Sequence, residues 1–385
     1  MGTVIEYPGK RGTTFRLKYK DASGKRVTET LPKGTTAKGA KEALRDRESD
    51  VSRIGYRRPD KIRFATFATE WVEEYVTRRA LKRTTSSGYR RVVRNHLVPE
   101  FGKLAPSEIT VARIEKYVAK ALRAGLSPRS VELNLTILGL IMKAALKRQL
   151  IPFDPTPLVE RPKKRRAVQP VLTPENTRDI ENAFAGLILE TPQGTKRENL
   201  IVALLIFRLI MGAGLRKGEV LGLRWKHVTV GNEAQIRVRE TYVMSAADEP
   251  KSDAGKRTID IGPRLASALT AHREWSAYSG EDERVACNPR TGHVFNANSY
   301  GDLLREAMKR AGVDLAIRPH HGLRHSQVTQ SAAAGMDPFA LMTRSGHSSM
   351  QTTMGYVHLA GQVYRDEAEA LEERLYGDAA AQGPS

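Results

Sequence analysis

Apolar and polar positions follow different periods in different parts of the chain. Near the amino terminus they alternate. Thr14-Phe15-Arg16-Leu17-Lys18-Tyr19 puts every second side chain on an apolar face, and Arg26-Val27-Thr28-Glu29-Thr30-Leu31 repeats the pattern. Asp21-Ala22-Ser23-Gly24 between them is a turn signal, so the stretch predicts a hairpin, with residues 4–7 as a third strand. Thr36 then caps a helix over residues 37–52. From Thr66 the period becomes helical, with Phe67, Trp71, Tyr75 and Val76 on one face. A second helix starts at Thr84 or Thr85, carries Tyr89, Val92, Val93 and His96, and ends at Pro99. A third covers 111–123 behind Glu108-Ile109-Thr110 and stops at Gly125. Ser127-Pro128 opens a fourth that runs to about residue 148 and offers Leu133, Ile137, Leu138, Ile141 and Leu146 to a core. Farther on, Thr173-Pro174 starts a helix, and residues 199–211 are almost wholly apolar, which predicts a buried helix broken by Gly212 and Gly214. Strands are expected at 235–243, 256–261 and 294–295, and helices at 263–279, 299–311, 321–334, 338–345 and 361–375. The fold class is multidomain α+β: a small N-terminal β-sheet plus helix, a four-helix bundle, and a mostly helical domain with a small antiparallel sheet.

Length supports more than one core, since 385 residues exceed the ~250–300 at which a single core stops growing. Arg57-Arg58-Pro59-Asp60 looks like a linker. Residues 151–170 hold five prolines around Lys163-Lys164-Arg165-Arg166, an extended basic connection. The expected divisions are 1–58, 64–152, 153–170, 171–377 and a tail at 378–385.

Charge changes the picture further. The net charge is +20, and residues 1–169 carry 38 basic against 17 acidic side chains, while the remainder carries 25 against 26. The excess thus lies wholly in the first part, which points to a polyanionic partner, most often nucleic acid. A two-stranded ribbon fits the DNA major groove, and Arg16, Lys18, Lys20 and Lys25 could face it. Lys82, Arg83, Arg90, Arg91, Arg94, Lys143, Lys147 and Arg148 are candidate phosphate contacts in the helical segment, and Lys163, Lys164, Arg165 and Arg166 in the connection. The plainer alternatives are a basic surface that only aids solubility and, for the last run, a nuclear-localisation signal. The single cysteine, Cys287, excludes a disulfide framework and a Cys-rich zinc site. No apolar run reaches the ~18 residues of a membrane span, and the first residues lack the apolar region of a signal peptide, so a reducing cytoplasm is the default compartment.

Three short stretches carry chemistry. Gly214-Leu215-Arg216-Lys217-Gly218-Glu219 places an arginine at a loop-to-helix junction. His320-His321-Gly322-Leu323-Arg324-His325 sets a histidine and an arginine three apart. Gly346-His347 is followed nine residues later by Tyr356. Phosphodiester cleavage needs a nucleophile, charge stabilisation at the phosphorane and a proton for the leaving 5′-oxygen. Arg216 and Arg324 suit the second need, because a guanidinium fork bonds two phosphate oxygens at once. Tyr356 could form a covalent phosphotyrosine, His321 and His347 could bond the phosphate or move protons, and Lys251 could protonate the leaving oxygen. Such a site needs no metal and no nucleotide cofactor. Each residue also has a structural reading: a helix cap for Arg216 and Glu219, a buried ion pair for Arg324, core packing for His321 and His347, solvation for Lys251, a helix end for Tyr356.

These stretches, in this order and spacing, resemble the signature of tyrosine recombinases of the phage integrase family. Phe101-Gly102-Lys103-Leu104 with Ile109-Thr110 is similar to the SAM-like core-binding domain of that family, and residues 1–58 to the arm-binding domain of its larger integrases. The resemblance implies a site-specific recombinase that integrates and excises mobile DNA through a 3′-phosphotyrosine and a Holliday junction, without metal or ATP. It implies Arg216 and Arg324 on the scissile phosphate, Tyr356 as nucleophile, His321 and His347 in support, Lys251 as general acid and Glu219 as a brace. Lys256 is the alternative to Lys251. His321 is fixed by its spacing to Arg324, since His320 doubles the histidine. Double-stranded DNA, a homotetramer on that DNA, a helix at 361–375 packing in trans, a host DNA-bending protein and a directionality factor are the implied partners, in the nucleoid of a bacterial host. A multimer-resolving recombinase, a topoisomerase-like nicking-closing enzyme and a non-catalytic DNA-binding repressor remain as alternatives.

Overall fold

A computed structural model describes residues 2–8, 13–20, 24–54, 62–163, 169–243, 246–248 and 255–360. The expected linker at 57–60, the run Lys164-Arg165-Arg166, Lys251 and the helix at 361–375 lie outside these residues, as do Asp21, Ala22 and Ser23 of the first turn. The chain divides into two compact units, Met1–Arg166 and Ala167–Ser385.

In the first unit the alternating segments form the expected sheet. Strands β1 (Thr3–Tyr7), β2 (Thr14–Lys20) and β3 (Arg26–Thr30) are antiparallel with β2 in the centre. Phe15, Leu17, Tyr19 and Val27 bury against helix α1 (Ala37–Ile54) through Ala40 and Leu44. Burying a side chain such as Leu17 is worth about 1.5–3 kcal/mol. The two-residue period therefore fixes which face turns outward, and that face presents Arg16, Lys18 and Lys20. Thr36 caps α1, its hydroxyl accepting from the Gly39 N–H at 3.1 Å.

The helical part of this unit comprises α2 (Phe64–Arg78), α3 (Arg83–Val92), α4 (Val98–Phe101), α5 (Val111–Arg123) and α6 (Pro128–Lys147). They share one core containing Phe67, Trp71, Leu97, Phe101, Leu138 and Ile141. Three expectations are corrected here. Helix α2 starts at Phe64, before Thr66, because the Phe64 and Ala65 N–H groups donate to the carbonyls of Leu104 and Gly102, a tertiary cap with no local signature. Pro99 does not end the second helix. A widened turn over Val93–Leu97, with the Val98 N–H on the Val93 carbonyl, makes room for the proline ring, and the helix continues to Phe101. Leu133 is exposed, because Val131, Leu135, Leu138 and Met142 form the buried stripe and residue 133 falls opposite it.

In the second unit, α7 (Pro174–Glu190) packs on the apolar α8 (Thr195–Ala213), the expected core helix. The short helix α9 (Lys217–Gly222) follows Arg216. The expected strand at 235–243 is split. Strand β5 (Gln235–Val238) lies between β4 (Val228–Thr229) and β8 (Arg257–Asp260), while β6 (Thr241–Val243) pairs with β7 (Ala246–Asp248) in a separate ribbon. Glu240 marks the break: Arg224 donates to it at 3.0 Å and His227 lies 3.4 Å away. The segment at 294–295 forms one bridge, between Val294 and Cys287, and no longer strand. Helices α10 (Pro263–Trp275), α11 (Ala297–Arg310), α12 (His321–Ala333), α13 (Pro338–Ser345) and α14 (Met350–Ala360) complete the described unit. Among the described residues no helix is long and apolar enough to cross a membrane.

Candidate active site

The site is built where two helices end. Helix α8 terminates at Gly214 (φ 64°) and α13 at Gly346 (φ 63°), both left-handed. A Cβ at Gly214 would run into the Gln327 side-chain oxygen, so glycine is required twice over. Such ends expose carbonyls carrying the negative pole of the helix, which attract cations. Arg324 on α12 is 5% exposed and donates through Nη1 to the Gly214 carbonyl and through Nη2 to the Ser345 carbonyl. Arg216 donates through Nη2 to the Gly346 carbonyl at 2.5 Å and through Nη1 to Glu219 Oε1 at 2.8 Å. The Glu219 carboxylate also accepts from the Arg216 backbone N–H at 2.9 Å, capping α9.

His347 follows Gly346 directly. Its Nδ1 lies 3.1 Å from the Thr353 hydroxyl, and its ring stacks on Tyr356 at 5.5 Å between centroids, 14° from parallel. His325 meets the same tyrosine edge-on at 5.1 Å. Val357 anchors α14 beside Val328, Ala332 and Leu341, which holds Tyr356 at the rim of a small core. Arg216, Glu219, Arg324, His347 and Tyr356, far apart in sequence, are thus brought together. His321, the first residue of α12, is exposed and adjoins His325 and Arg324. His320 instead buries against Tyr300 at 4.8 Å, and its Nε2 has no hydrogen-bond partner.

Arg257 belongs to the cluster and was missed in the sequence. It is 6% exposed and donates to both Glu219 oxygens, at 3.0 and 2.9 Å. The available signal was register: in Lys256-Arg257-Thr258-Ile259 the inward, apolar positions are odd, which sends Arg257 inside and leaves Lys256 exposed. His325 and Thr353 were likewise passed over as site residues.

Two guanidinium groups bond the one carboxylate and a third, Arg324, holds the adjoining carbonyls, so the cluster is a cationic pocket suited to an oxyanion. Burial alone would raise Glu219, but its bonds to Arg257 and the charges of Arg257 and Arg216 hold it down to about 2. Burial and the Arg216 charge lower Arg324 to about 9, which leaves it protonated at neutral pH. Burial, then Arg324, Arg216 and Arg257, bring His347 down to about 4, so its imidazole is neutral. Burial raises Tyr356, opposed by the two arginines that face it, Arg324 and Arg216. Among the described residues no cluster of His, Cys, Asp or Glu could hold a metal ion.

The candidate DNA contacts fare unevenly. Arg16, Lys18 and Lys20 line one exposed face of the sheet, with the Arg16 guanidinium 4.6 Å from the Tyr7 ring centre. Lys25, Lys82, Arg83, Arg91, Lys143, Lys147 and Lys163 are also exposed. Arg94 is exposed and its Nε donates to Asn95 at 3.1 Å. Arg90 is already held bidentately by Glu73, at 2.8 and 2.6 Å. Arg148 is paired with Glu74 and lies over the Phe67 ring. Exposed pairs of this kind contribute little to stability.

Comparison with known proteins adds a lineage. The model of the phage integrase family matches residues 182–362, and that of the phage integrase N-terminal SAM-like domain matches residues 63–122. The putative prophage phiRv2 integrase of Mycobacterium tuberculosis is 27% identical over 313 residues, 79% of this chain and 77% of that protein. Tyrosine recombinase XerC of Xylella fastidiosa is 25% identical over 300 residues, 77% and 93% of the two chains. Among solved structures, the Tn1549 transposon integrase in complex with a circular intermediate DNA shares the fold with a TM-score of 0.64 at 21% identity, over 82% of this chain and 99% of the other.

Proposed function

Because the chain belongs to the phage integrase family of tyrosine-type site-specific recombinases, we propose that the Arg216–Arg324–Tyr356 cluster cuts and rejoins duplex DNA, and that the protein integrates and excises mobile DNA. The observation that carries this reading is that two guanidinium forks meet at the successive carbonyls of Ser345 and Gly346, directly before His347, whose ring stacks on Tyr356.

In the proposed reaction the Tyr356 oxygen attacks phosphorus, and the bond to the 5′-oxygen breaks as the phosphotyrosine bond forms. The phenolic proton leaves to a base or to water, and the departing 5′-oxygen takes up a proton. Arg216 and Arg324 gather the equatorial oxygens, where negative charge develops, and a preorganised donor of this kind contributes on the order of 10²–10³ in rate. Neutral His347 supplies a ring N–H to the same phosphate. Lys251 remains the proposed acid for the 5′-oxygen, with Lys256 as its alternative. His321, at the exposed start of α12, is the second proposed imidazole at the phosphate. The phosphotyrosine keeps the energy of the cleaved bond, so a 5′-hydroxyl from a second duplex can reverse the reaction onto a new partner. Two such rounds would give exchange through a Holliday junction, with four protomers on the DNA.

The basic face of the N-terminal sheet supports integration over multimer resolution, since it offers a DNA-gripping surface separate from the helical segment. The connection containing Lys163 and the exposed bases of the helical segment would add phosphate contacts. A DNA-bending host protein and a directionality factor are proposed accessories, in the cytoplasm of a bacterial host.

The test is covalent capture in EDTA. Pre-nicked duplexes cut from the DNA flanking the protein's own gene are incubated with wild type and Tyr356→Phe, then denatured. A DNA–protein adduct with wild type alone is expected. An adduct with both proteins would move the nucleophile elsewhere, and an adduct that needs magnesium would overturn the arginine-based mechanism.

A further inference from the structure

Three successive carbonyls at the end of α13 each accept from a different arginine. Arg344 O takes Arg257 Nε at 2.8 Å, Ser345 O takes Arg324 Nη2, and Gly346 O takes Arg216 Nη2 at 2.5 Å. Two of these arginines are the phosphate forks proposed above. The third is committed to the protein. Arg257 gives Nη1 and Nη2 to the two oxygens of Glu219 and Nη1 also to the Gly255 carbonyl at 3.2 Å. With Nε on Arg344, four of its five N–H donors end on protein groups, and its side chain is 4% exposed. Arg257 therefore reaches the scissile phosphate only through neighbours: through Glu219 to Arg216, and through the α13 carbonyls to Arg324 and His347.

We propose that Arg257 is a positioning residue for strand cleavage, holding Glu219 and the end of α13 so that the Arg216 and Arg324 forks face one phosphate. This rests on the reading of Arg216, Arg324 and Tyr356 as the cleavage site. The physical reason lies in Glu219, which is 3% exposed and accepts from both arginines. A buried carboxylate deprived of its best-buried counter-charge either takes up a proton or draws the remaining guanidinium toward itself. In the first case Arg216 loses its brace, and in the second it turns from the phosphate. A displacement near 1 Å costs on the order of 100-fold in the rate of a positioned reaction. DNA grip is spread over many phosphate contacts and would persist.

The experiment measures single-turnover adduct formation at saturating protein, and DNA half-saturation separately, on the pre-nicked duplexes. Arg257→Met is expected to slow adduct formation about 100-fold while half-saturation moves less than about threefold. Arg257→Lys, which restores the charge without the three-way fork, should recover about tenfold of that loss. Glu219→Gln with Arg257→Met should be no slower than Arg257→Met alone, because the two residues act as one unit. Should Arg257→Met fail to fold by circular dichroism, the double variant leaves no unpaired buried charge and carries the test in its place. A wild-type rate in whichever variant carries the test, or weakened binding with an unchanged saturated rate, overturns the positioning role. Absence of an adduct with wild type itself would instead remove the cleavage reading, and this inference with it.

Discussion

Arginine rather than lysine is required at position 324 by geometry. The two Nη atoms span the Gly214 and Ser345 carbonyls, which belong to different helix ends, and a lysine ammonium cannot reach both. Arg324→Lys should therefore fold yet slow covalent capture about 100–1,000-fold, the cost of losing one preorganised donor. A loss under about tenfold in the capture assay would mean that charge alone suffices there. The same scale explains what spacing could reveal. Arg216, His321, Arg324, His347 and Tyr356 sit in short local patterns, so their standing as candidates is legible in the chain. Arg257 has no such pattern, because its partners Glu219 and Arg344 are 38 and 87 residues away.

At the scale of elements, the left-handed end of α8 is sensitive to a single change. Gly214→Ala would incur the left-handed penalty of about 1–2 kcal/mol and push on Gln327, lowering the thermal midpoint and withdrawing a carbonyl from Arg324. An unshifted midpoint with full capture activity would show that this turn is not a support of the site. The basic sheet face makes a separate prediction. Reversing Arg16, Lys18 and Lys20 to glutamate leaves the buried face of β2 untouched, so the sheet should fold. Proposed arm-type DNA binding should weaken, with a salt slope shallower by about one per lost phosphate contact. Equal binding curves across a salt titration would remove this face from the interface.

At the scale of the whole molecule, buried histidines give the second unit a pH dependence of its own. Burial first, then Lys217 for His320, lowers His272 and His320 from 6.5 to about 4, and His347 behaves alike. The unfolded chain protonates these rings near 6.5, so between about 6.5 and 4 it binds more protons than the folded one. Stability then falls as pH falls, by at most about 1.4 kcal/mol per pH unit for each fully buried histidine, and the loss is complete below about 4. Glu219, held at about 2, adds a further loss as pH drops below about 4.5. Trp71 lies in the first unit and Trp225 and Trp275 in the second, so Trp71→Phe leaves a fluorescence report on the second alone. Its urea midpoint should be lower at pH 5 than at pH 7. A midpoint that holds or rises would contradict the neutral, buried histidines.

The sequence by itself determined what depends on neighbours along the chain. Alternation set the face of β2, apolar continuity set α8, Thr36, Ser127 and Thr173 set helix starts, and charge marked the first part as basic. Tertiary structure decided what depends on distant partners. The start of α2 is satisfied by carbonyls of residues 102 and 104, the helix passes Pro99 through a widened turn, and the 235–243 run breaks where Glu240 meets Arg224 and His227. It also decided that one helix end would be shared by three arginines from a loop, a strand and a helix. Periodicity records only whether a position faces inward. Which buried charge meets which carbonyl is fixed by packing, because an unpaired one costs too much to remain.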